Sequence, residues 1–178
     1  MKFNKPLLFL TILITSLCFS QNQKKDIFVS LQAAPFISGG DSNDIGVIGI
    51  TGFEVFMTNS ISVSTSFFTS NNTLFKNENG TTIHSYGILP SVQYYIINKS
   101  KFNIFGTLGY GFGFEDLTRS NIENSALTIF NIGVGGNYKI SSNLYLKLTL
   151  PYFYAKNITI NKKALEGITP FFGVNYKL

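Results

Sequence analysis

Residues 169–178 read TPFFGVNYKL, and this stretch decides how the rest of the chain is interpreted. Apolar or aromatic residues alternate in it with small or polar ones, and only Phe171 departs from the alternation. A period of two places successive side chains on opposite faces of a β-strand. The stretch therefore predicts a strand with one apolar face and one polar face. The apolar face consists of Pro170, Phe172, Val174, Tyr176 and Leu178.

Seven segments upstream also have the length, composition and spacing of strands, and none shows sustained helical spacing. Each is close to the ~9–11 tilted residues with which a strand crosses a bilayer, or a little longer. The sequence therefore predicts an all-β fold with eight strands. Their approximate ranges are 26–37, 45–56, 61–70, 83–97, 102–114, 127–140, 144–155 and 168–178.

The connections between these segments alternate in length. Those after the second, fourth and sixth strands are short, at 57–60, 98–101 and 141–143. Those after the first, third, fifth and seventh strands are longer and polar, at 38–44, 71–82, 115–126 and 156–167. An up-and-down meander with both chain ends on one side produces this pattern, whereas a soluble sandwich has no reason to sort its loops. We expect an antiparallel transmembrane barrel with short periplasmic turns and longer extracellular loops.

One face of each predicted strand is apolar, and the opposite face is small or polar. The fifth strand is the clearest, because Phe102, Ile104 and Leu108 oppose Asn103 and Thr107. An eight-stranded ring encloses a lumen that side chains just fill. That lumen could not hold both the aromatic side chains and their polar partners, so the apolar face must point outward. A water-soluble barrel would carry many Lys and Glu outside, and the third, fifth and eighth strands have almost none.

A strand in hydrocarbon cannot leave its backbone unpaired, because each unpaired N–H or C=O costs several kcal/mol. We therefore expect the eighth strand to pair with the first and close the sheet. Tyr and Phe near strand ends predict girdles at the two membrane interfaces. The predicted girdle residues are Phe28, Phe56, Tyr94, Tyr95, Phe112, Tyr138, Tyr152, Tyr154 and Tyr176.

Residues 1–20 have the pattern of a cleaved signal peptide, which leaves 21–178 as one barrel domain. Lys2 and Lys5 precede a short apolar run, and small residues stand before a cut ahead of Gln21. Cleavage removes two lysines and lowers the formal net charge from +5 to +3. It also removes the only cysteine, so the mature chain can form neither a disulfide nor a thiolate site.

The composition argues against nucleic acid, metal and cofactor binding. The few lysines are scattered and form no stripe such as a nucleic-acid surface needs. With one His and no mature Cys, the usual transition-metal ligands are lacking. The expected loop acids have no calcium-loop spacing, so we expect solvated charge, with Ca²⁺ or lipopolysaccharide bridging as the alternative. These acids are Asp41, Asp44, Glu115, Asp116 and Glu123.

Two motifs suggest chemistry but fit a structural role better. Gly109-Tyr110-Gly111-Phe112-Gly113 resembles a phosphate-binding loop, yet its glycines lie mid-strand at period two and no helix follows. His84, the sole histidine, is adjacent to Ser85, and adjacent residues in a strand face opposite sides. A general base must reach its nucleophile, so we expect no catalytic site.

A group of charges is predicted inside the lumen near the short turns. Glu54 is on the inward face of the second strand, and Lys139, Lys147 and Lys177 are on the inward faces of the last three. Charges at this depth must avoid lipid, where a Lys near the midplane costs ~2–4 kcal/mol. We expect Glu54 to neutralise one or more of these lysines across the barrel as an internal plug, with a selectivity filter as the alternative. The excess of lysine predicts that any leak favours anions.

The export signal, strand count, loop alternation and closing strand together resemble the small eight-stranded outer-membrane barrels of the OmpA/OmpX or "porin family" type. The resemblance covers residues 25–178. It implies the outer membrane of a Gram-negative bacterium, with the lipid bilayer and lipopolysaccharide as partners. It also implies that the outer-membrane insertion machinery reads the closing strand through Phe172, Val174, Tyr176 and Leu178.

Two function classes follow from the resemblance and stay open. The first is a non-enzymatic structural or surface-interaction protein with polar extracellular loops. The second is a narrow passive channel for small solutes with a weak preference for anions. The narrow lumen favours the first class. Small inward residues leave room for water and keep the second possible: Ser62, Ser64, Gly87, Gly109, Gly111, Gly133 and Gly135.

Overall fold

The computed structural model describes residues 22–37, 45–74, 81–118, 125–158 and 162–178. The predicted signal peptide and the expected loop acids Asp41, Asp44 and Glu123 lie outside these residues. No helix in the described ranges is long and apolar enough to cross a membrane. The strands are β1 Ile27–Ile37, β2 Ile45–Phe56, β3 Ile61–Leu74, β4 Thr81–Asn98, β5 Phe102–Thr118, β6 Ser125–Lys139, β7 Leu144–Asn157, β8 Lys162–Ile168 and β9 Phe171–Lys177.

The strands form one closed antiparallel ring. Each strand from β1 to β7 pairs with the next along the chain, and β9 pairs with both β7 and β1. β8 and β9 share one position in the ring, because β7 pairs with β9 through residues 144–149 and with β8 through 152–157. The ring therefore has eight strand positions. This confirms the predicted eight-stranded barrel and its closure between the first and last strands.

Tight turns and both described chain ends lie at the same end of the barrel, which we call the short-turn end. In the turns after β2, β4 and β6, the N–H groups of Met57, Lys99 and Ile140 donate to carbonyl oxygens at 2.9, 3.1 and 2.9 Å. Residues 22–26 and Leu178 also lie here, and Leu178 N–H donates to the carbonyl oxygen of Ile27 at 3.0 Å. The opposite end, which carries the other connections, is the long-loop end.

The predicted eighth strand, 168–178, is interrupted in the structure. β9 begins at Phe171, and β8 lies within the segment 156–167 that the sequence predicts as a loop. Pro170 stands at the break and has no N–H to donate to a ladder. The N–H of Thr169 donates instead to the carbonyl oxygen of Pro151 at 3.0 Å. The prediction of one continuous strand and a long final loop is therefore wrong.

The strands also extend further toward the long-loop end than the sequence predicts. β3 continues to Leu74, and β5 continues to Thr118. Glu115 is accordingly a strand residue with 6% exposure, and its assignment to a solvated loop is wrong. Polar residues that face a lumen have the composition of a loop, so the strand ends were placed too early.

The two predicted faces are observed. Apolar side chains of the outward face remain exposed and form a belt around the barrel, whereas the inward face is buried or half-buried. Three predicted girdle residues do not belong to this belt, because Phe28, Phe56 and Tyr95 point into the lumen with at most 3% exposure. Adjacent strand residues face opposite sides, so Tyr95 points inward while its neighbour Tyr94 points outward.

The interior is layered along the barrel axis. An aromatic cluster fills the lumen at the short-turn end and consists of Phe28, Phe56, Tyr95, Phe105 and Tyr145. A second, apolar cluster occupies the lumen toward the long-loop end and consists of Ala34, Ile48, Ile50, Phe68, Leu89, Leu127, Ile129, Phe153, Ala155 and Phe171. Between the two lies a belt of polar side chains. Ring contacts are close in the aromatic cluster, with the Phe56 and Tyr95 centroids 4.8 Å apart.

Gly173 marks a close approach of two strands at the seam where β9 closes against β1. It is paired with Gln32 in the register of this seam. A Cβ added at Gly173 would overlap the carbonyl oxygen of Leu31 and lie 2.6 Å from the Cα of Gln32. Because these are backbone atoms, no side-chain rotation could relieve the overlap. The seam therefore requires glycine at this position.

Candidate functional site

The polar belt of the lumen is organised around the carboxylate of Glu54. This side chain points inward from the short-turn end of β2 and is 2% exposed. Its Oε1 accepts hydrogen bonds from the hydroxyl groups of Ser62 and Tyr95 at 2.7 and 2.6 Å. Its Oε2 lies 3.4 Å from Nζ of Lys147, which reaches across from β7. Three donors from three other strands thus converge on one carboxylate.

The ion pair between Glu54 and Lys147 is almost completely removed from solvent. The side chains are 2% and 4% exposed, respectively. The ammonium group of Lys147 also lies 5.4 Å from the ring centroid of Phe105, within the range of a cation–π contact. Buried charges are costly unless they are paired and hydrogen-bonded. Each charge of the pair therefore offsets part of the cost of burying the other.

Further polar contacts surround this pair and line a small cavity. The hydroxyl group of Thr149 donates to Oε1 of Gln32 at 3.1 Å, and Nε2 of Gln93 donates to the hydroxyl oxygen of Ser64 at 3.3 Å. All four residues, with Glu54, line a cavity of about 50 Å³. A cavity of this size has room for a few water molecules, each of which needs ~10–15 Å³ by this measure.

The other two predicted lumen lysines have different partners. Nζ of Lys177 lies 2.6 Å from Oδ2 of Asp26 at the short-turn rim, where both side chains are partly exposed. Nζ of Lys139 lies 5.8 Å from the ring centroid of Tyr145. The structure therefore brings together Glu54 and Lys147, and it separates them from Lys139 and Lys177. Asp26, which the sequence reasoning missed, directly precedes the first strand, so strand closure would have brought it to Lys177.

A second buried polar contact lies at the long-loop end and was also missed. Nδ2 of Asn157 donates to Oε2 of Glu115 at 2.6 Å. Ser85 is the register partner of Glu115 on β4, and both are buried. The available signal was the alternation of β5, which places Glu115 in phase with Gly111 and Gly113 on the inward face.

The four closing-strand residues that the sequence analysis assigns to the insertion machinery lie on the outer surface. Phe172, Val174, Tyr176 and Leu178 are 61%, 37%, 48% and 64% exposed. Their side chains thus remain accessible from outside the barrel after the seam has closed. The backbone of Phe172, Val174 and Tyr176 pairs with β1 and β7 on the two sides.

The motifs weighed for catalysis do not form a catalytic arrangement. His84 is exposed on the outer face, where Asp116 and Asn71 are its register partners, whereas Ser85 is buried on the inner face. Gly109, Gly111 and Gly113 lie within β5, as the period of two predicts. The described part of the chain contains no group of three His, Cys, Asp or Glu placed to hold a metal ion.

No protein-family model matches this sequence, and no curated protein matches it either. Several solved structures share its fold. The outer membrane protein OprG from Pseudomonas aeruginosa is 13% identical, with a TM-score of 0.63 over 90% of this chain and 99% of that one. The N-terminal β-barrel domain of OprF from the same organism is 14% identical, with a TM-score of 0.55 over 89% and 100%.

Ail, the attachment invasion locus protein of Yersinia pestis, is also similar. It is 18% identical, with a TM-score of 0.52 over 88% of this chain and 100% of that one. At these identities the likeness concerns the fold. The chain therefore has the fold of small outer-membrane β-barrels.

Proposed function

We propose that this chain is an integral outer-membrane β-barrel protein with a closed lumen and a non-enzymatic, structural or surface-interaction role. The single observation that carries the proposal is the belt of exposed apolar side chains around a barrel whose interior has its own two packed clusters of buried side chains. Soluble monomers rarely expose contiguous apolar patches larger than a few hundred Å². A bilayer covers such a belt completely.

The orientation and export of the protein follow from the same proposal. The short-turn end faces the periplasm, and the long-loop end faces the outside of a Gram-negative cell, where lipopolysaccharide surrounds it. Residues 1–20 act as a cleaved signal peptide. The insertion machinery recognises the outward-facing closing strand at Phe172, Val174, Tyr176 and Leu178, whose exposure supports such a role.

A surface-interaction role agrees with what is known of one similar barrel. The Yersinia pestis protein Ail forms a complex with the heparin analogue sucrose octasulfate. By analogy, we propose that the long-loop end is the part of this barrel that meets extracellular partners. The opposite orientations of His84 and Ser85 support a role without catalysis.

A lysine substituted for Leu150 distinguishes a lipid-facing belt from a water-facing one. Leu150 is outward and 41% exposed near the middle of β7. We expect Leu150→Lys to lower the free energy of unfolding by ~2–4 kcal/mol in vesicles, because a charge near the midplane is costly. On a sheet in water the same change would be close to neutral. The measurement is urea unfolding in phospholipid vesicles, followed by circular dichroism because the chain has no Trp.

The control for this change is Met57→Lys in the turn between β2 and β3. Met57 is 53% exposed but lies at the short-turn end, where a lysine reaches water. We expect a cost of ~0–1 kcal/mol there. Equal and negligible costs at both positions would contradict a membrane location.

The closed lumen predicts that the purified barrel is electrically silent. The aromatic cluster, the Glu54–Lys147 pair and the apolar cluster follow one another along the axis, and the cavity beside the pair measures only about 50 Å³. We expect no steady current in a planar bilayer after insertion, which heat-modifiable gel migration verifies independently. A steady anion-preferring current would support the passive channel instead.

A further inference from the structure

An apolar groove of about 440 Å³ lies on the outer surface of the barrel near the short-turn end. It crosses β5, β6, β7 and β9, and its walls are apolar side chains of the exposed belt. Backbone at Gly136 and Gly173 lines its floor. The wall residues are Phe102, Ile104, Tyr138, Leu146, Leu148 and Phe172.

The groove exists because one side chain is missing from a row of the belt. Ile104, Gly136, Leu148 and Phe172 are successive register partners on β5, β6, β7 and β9. Glycine leaves a gap between two large neighbours in this row. A Cβ at Gly136 would meet only the carbonyl oxygen of Asn103, at 3.2 Å. That carbonyl oxygen would have to move by a few tenths of an ångström to accept a side chain here.

Positive charge stands at the periplasmic mouth of the groove. Lys99 and Lys101 lie in the turn directly before Phe102, and Nζ of Lys99 lies 5.6 Å from the ring centroid of Phe102. Neither lysine forms an ion pair with another described residue. The N–H of Lys139 donates to the carbonyl oxygen of Lys101 at 2.8 Å, which brings a third lysine to this rim.

The whole short-turn end carries an excess of positive charge. Among the described residues, its turns and rim carry one acidic side chain, Asp26, which is paired with Lys177. The remaining charged side chains of this end are all lysines: Lys24, Lys25, Lys99, Lys101 and Lys139. An apolar groove that opens toward unpaired ammonium groups complements a molecule with an acyl chain and an anionic head.

We propose that this groove binds one acyl chain of an anionic phospholipid of the periplasmic leaflet, with Lys99 and Lys101 on its phosphate group. The inference rests on the proposed membrane location. The groove runs within the apolar belt, at the depth of the acyl chains. The lysines lie at the rim, at the depth of the headgroups. Ammonium groups form strong charge-assisted hydrogen bonds with phosphate oxygens.

Native mass spectrometry of the folded barrel tests the charge requirement. The protein is released from micelles that contain phosphatidylglycerol or phosphatidylcholine with identical acyl chains. We expect one phosphatidylglycerol to be retained roughly 25-fold more strongly than phosphatidylcholine, because two lysines act on it. Lys99→Gln with Lys101→Gln should remove this preference, since each lysine near an anionic lipid contributes about a fivefold effect. Lys24→Gln with Lys25→Gln changes the net charge equally at the same end and should keep the preference.

Two glycine variants test the groove itself. Gly136→Leu fills the gap and should abolish retention of both lipids. Gly106→Leu is the matched control, because Gly106 lies on the neighbouring strand outside the groove and its Cβ would meet nothing closer than 3.9 Å. Equal retention of the two lipids by the unmodified protein would overturn the proposal. Equal loss in both glycine variants, or a dimer that excludes lipid, would also overturn it.

The proposed membrane location is assessed separately on the same samples. Suppose that the barrel shows heat-modifiable migration and that Leu150→Lys lowers its free energy of unfolding. A negative result in native mass spectrometry then refutes the lipid groove but not the membrane location. If the migration does not change on heating and Leu150→Lys has no effect on stability, the membrane location itself is refuted. The groove proposal is then refuted as well.

Discussion

Lys147→Met is expected to lower the free energy of unfolding by ~3–5 kcal/mol, because it leaves the Glu54 carboxylate buried without its counter-charge. Glu54 is 2% exposed, and the few water molecules for which the cavity beside it has room supply no counter-charge. The hydrogen bonds from Ser62 and Tyr95 remain but supply no full charge. Urea unfolding in vesicles, with the folded fraction read from the heat-modifiable gel band, measures the change.

The double variant Glu54→Gln with Lys147→Met shows whether the loss comes from the orphaned charge. A glutamine keeps an oxygen for the Ser62 and Tyr95 hydroxyl groups, and methionine keeps most of the volume of lysine. Replacing both members of a buried ion pair by uncharged groups often changes protein stability little. We therefore expect the double variant to recover most of the stability that Lys147→Met loses. A double variant as unstable as the single one would contradict this account of the pair.

Lys177→Met provides the matched control for the same substitution. Lys177 pairs with Asp26 at the rim, where its side chain is 30% exposed. A partly exposed ion pair contributes ~0–1 kcal/mol because water solvates either member alone. The residue change is identical at the two positions. The difference between their losses in free energy of unfolding therefore measures the effect of burial.

Gly173→Val is expected to prevent the barrel from closing. The added Cβ would overlap the carbonyl oxygen of Leu31, and both strands of the seam would have to shift. Overpacking in a well-packed region costs ~1–3 kcal/mol and occasionally more. Here the obstacle is backbone at the closing edge, so we expect the upper end of that range or loss of the folded band on the gel.

Gly49→Val is the control for the seam substitution. Gly49 pairs with Ala33 on β1, close to the seam, and its Cβ would meet only a methyl group of Thr69 at 3.7 Å. That distance is an ordinary van der Waals contact, and valine favours strands. We expect Gly49→Val to fold with unchanged or slightly higher stability. Folding of Gly173→Val with the same yield would show that the seam tolerates a side chain.

The period of two in the sequence predicts the eight strand positions and their two faces, although not the break at Pro170 that separates β8 from β9. It succeeded because a barrel wall separates two environments, and every strand records that separation in its side chains. It failed where inward polar residues continue a strand beyond the apolar belt. Glu115 and Asn157 have the composition of a loop, but their burial and the hydrogen bond between them show that they line the lumen.

The aromatic girdle was overestimated for a related reason. Phe28 is in phase with Ser30 and Gln32, so strict alternation would have placed it inside. Tyr94 and Tyr95 are neighbours in one strand, and they could not both have faced lipid. The phase of the strand was therefore the better guide.

The lumen charges were predicted as a set, but their pairing depends on distances that a sequence does not contain. The register places Lys147 and Lys177 on neighbouring strands, yet they lie at different depths. Lys147 is deep enough to reach Glu54, and Lys177 is at the rim beside Asp26. Depth along the axis depends on the stagger between strands, and the stagger emerges only when the ring closes.

The hydrogen bond between Leu178 and Ile27 holds the ends of the first and last strands side by side. The two termini of the barrel meet at one seam, beside three hairpin turns of the same kind. A circular permutant that joins these termini and opens one of the hairpin turns would form the same barrel. The folded ring thus has no structurally distinct first strand. The position at which the polypeptide begins matters only during insertion and closure of the barrel.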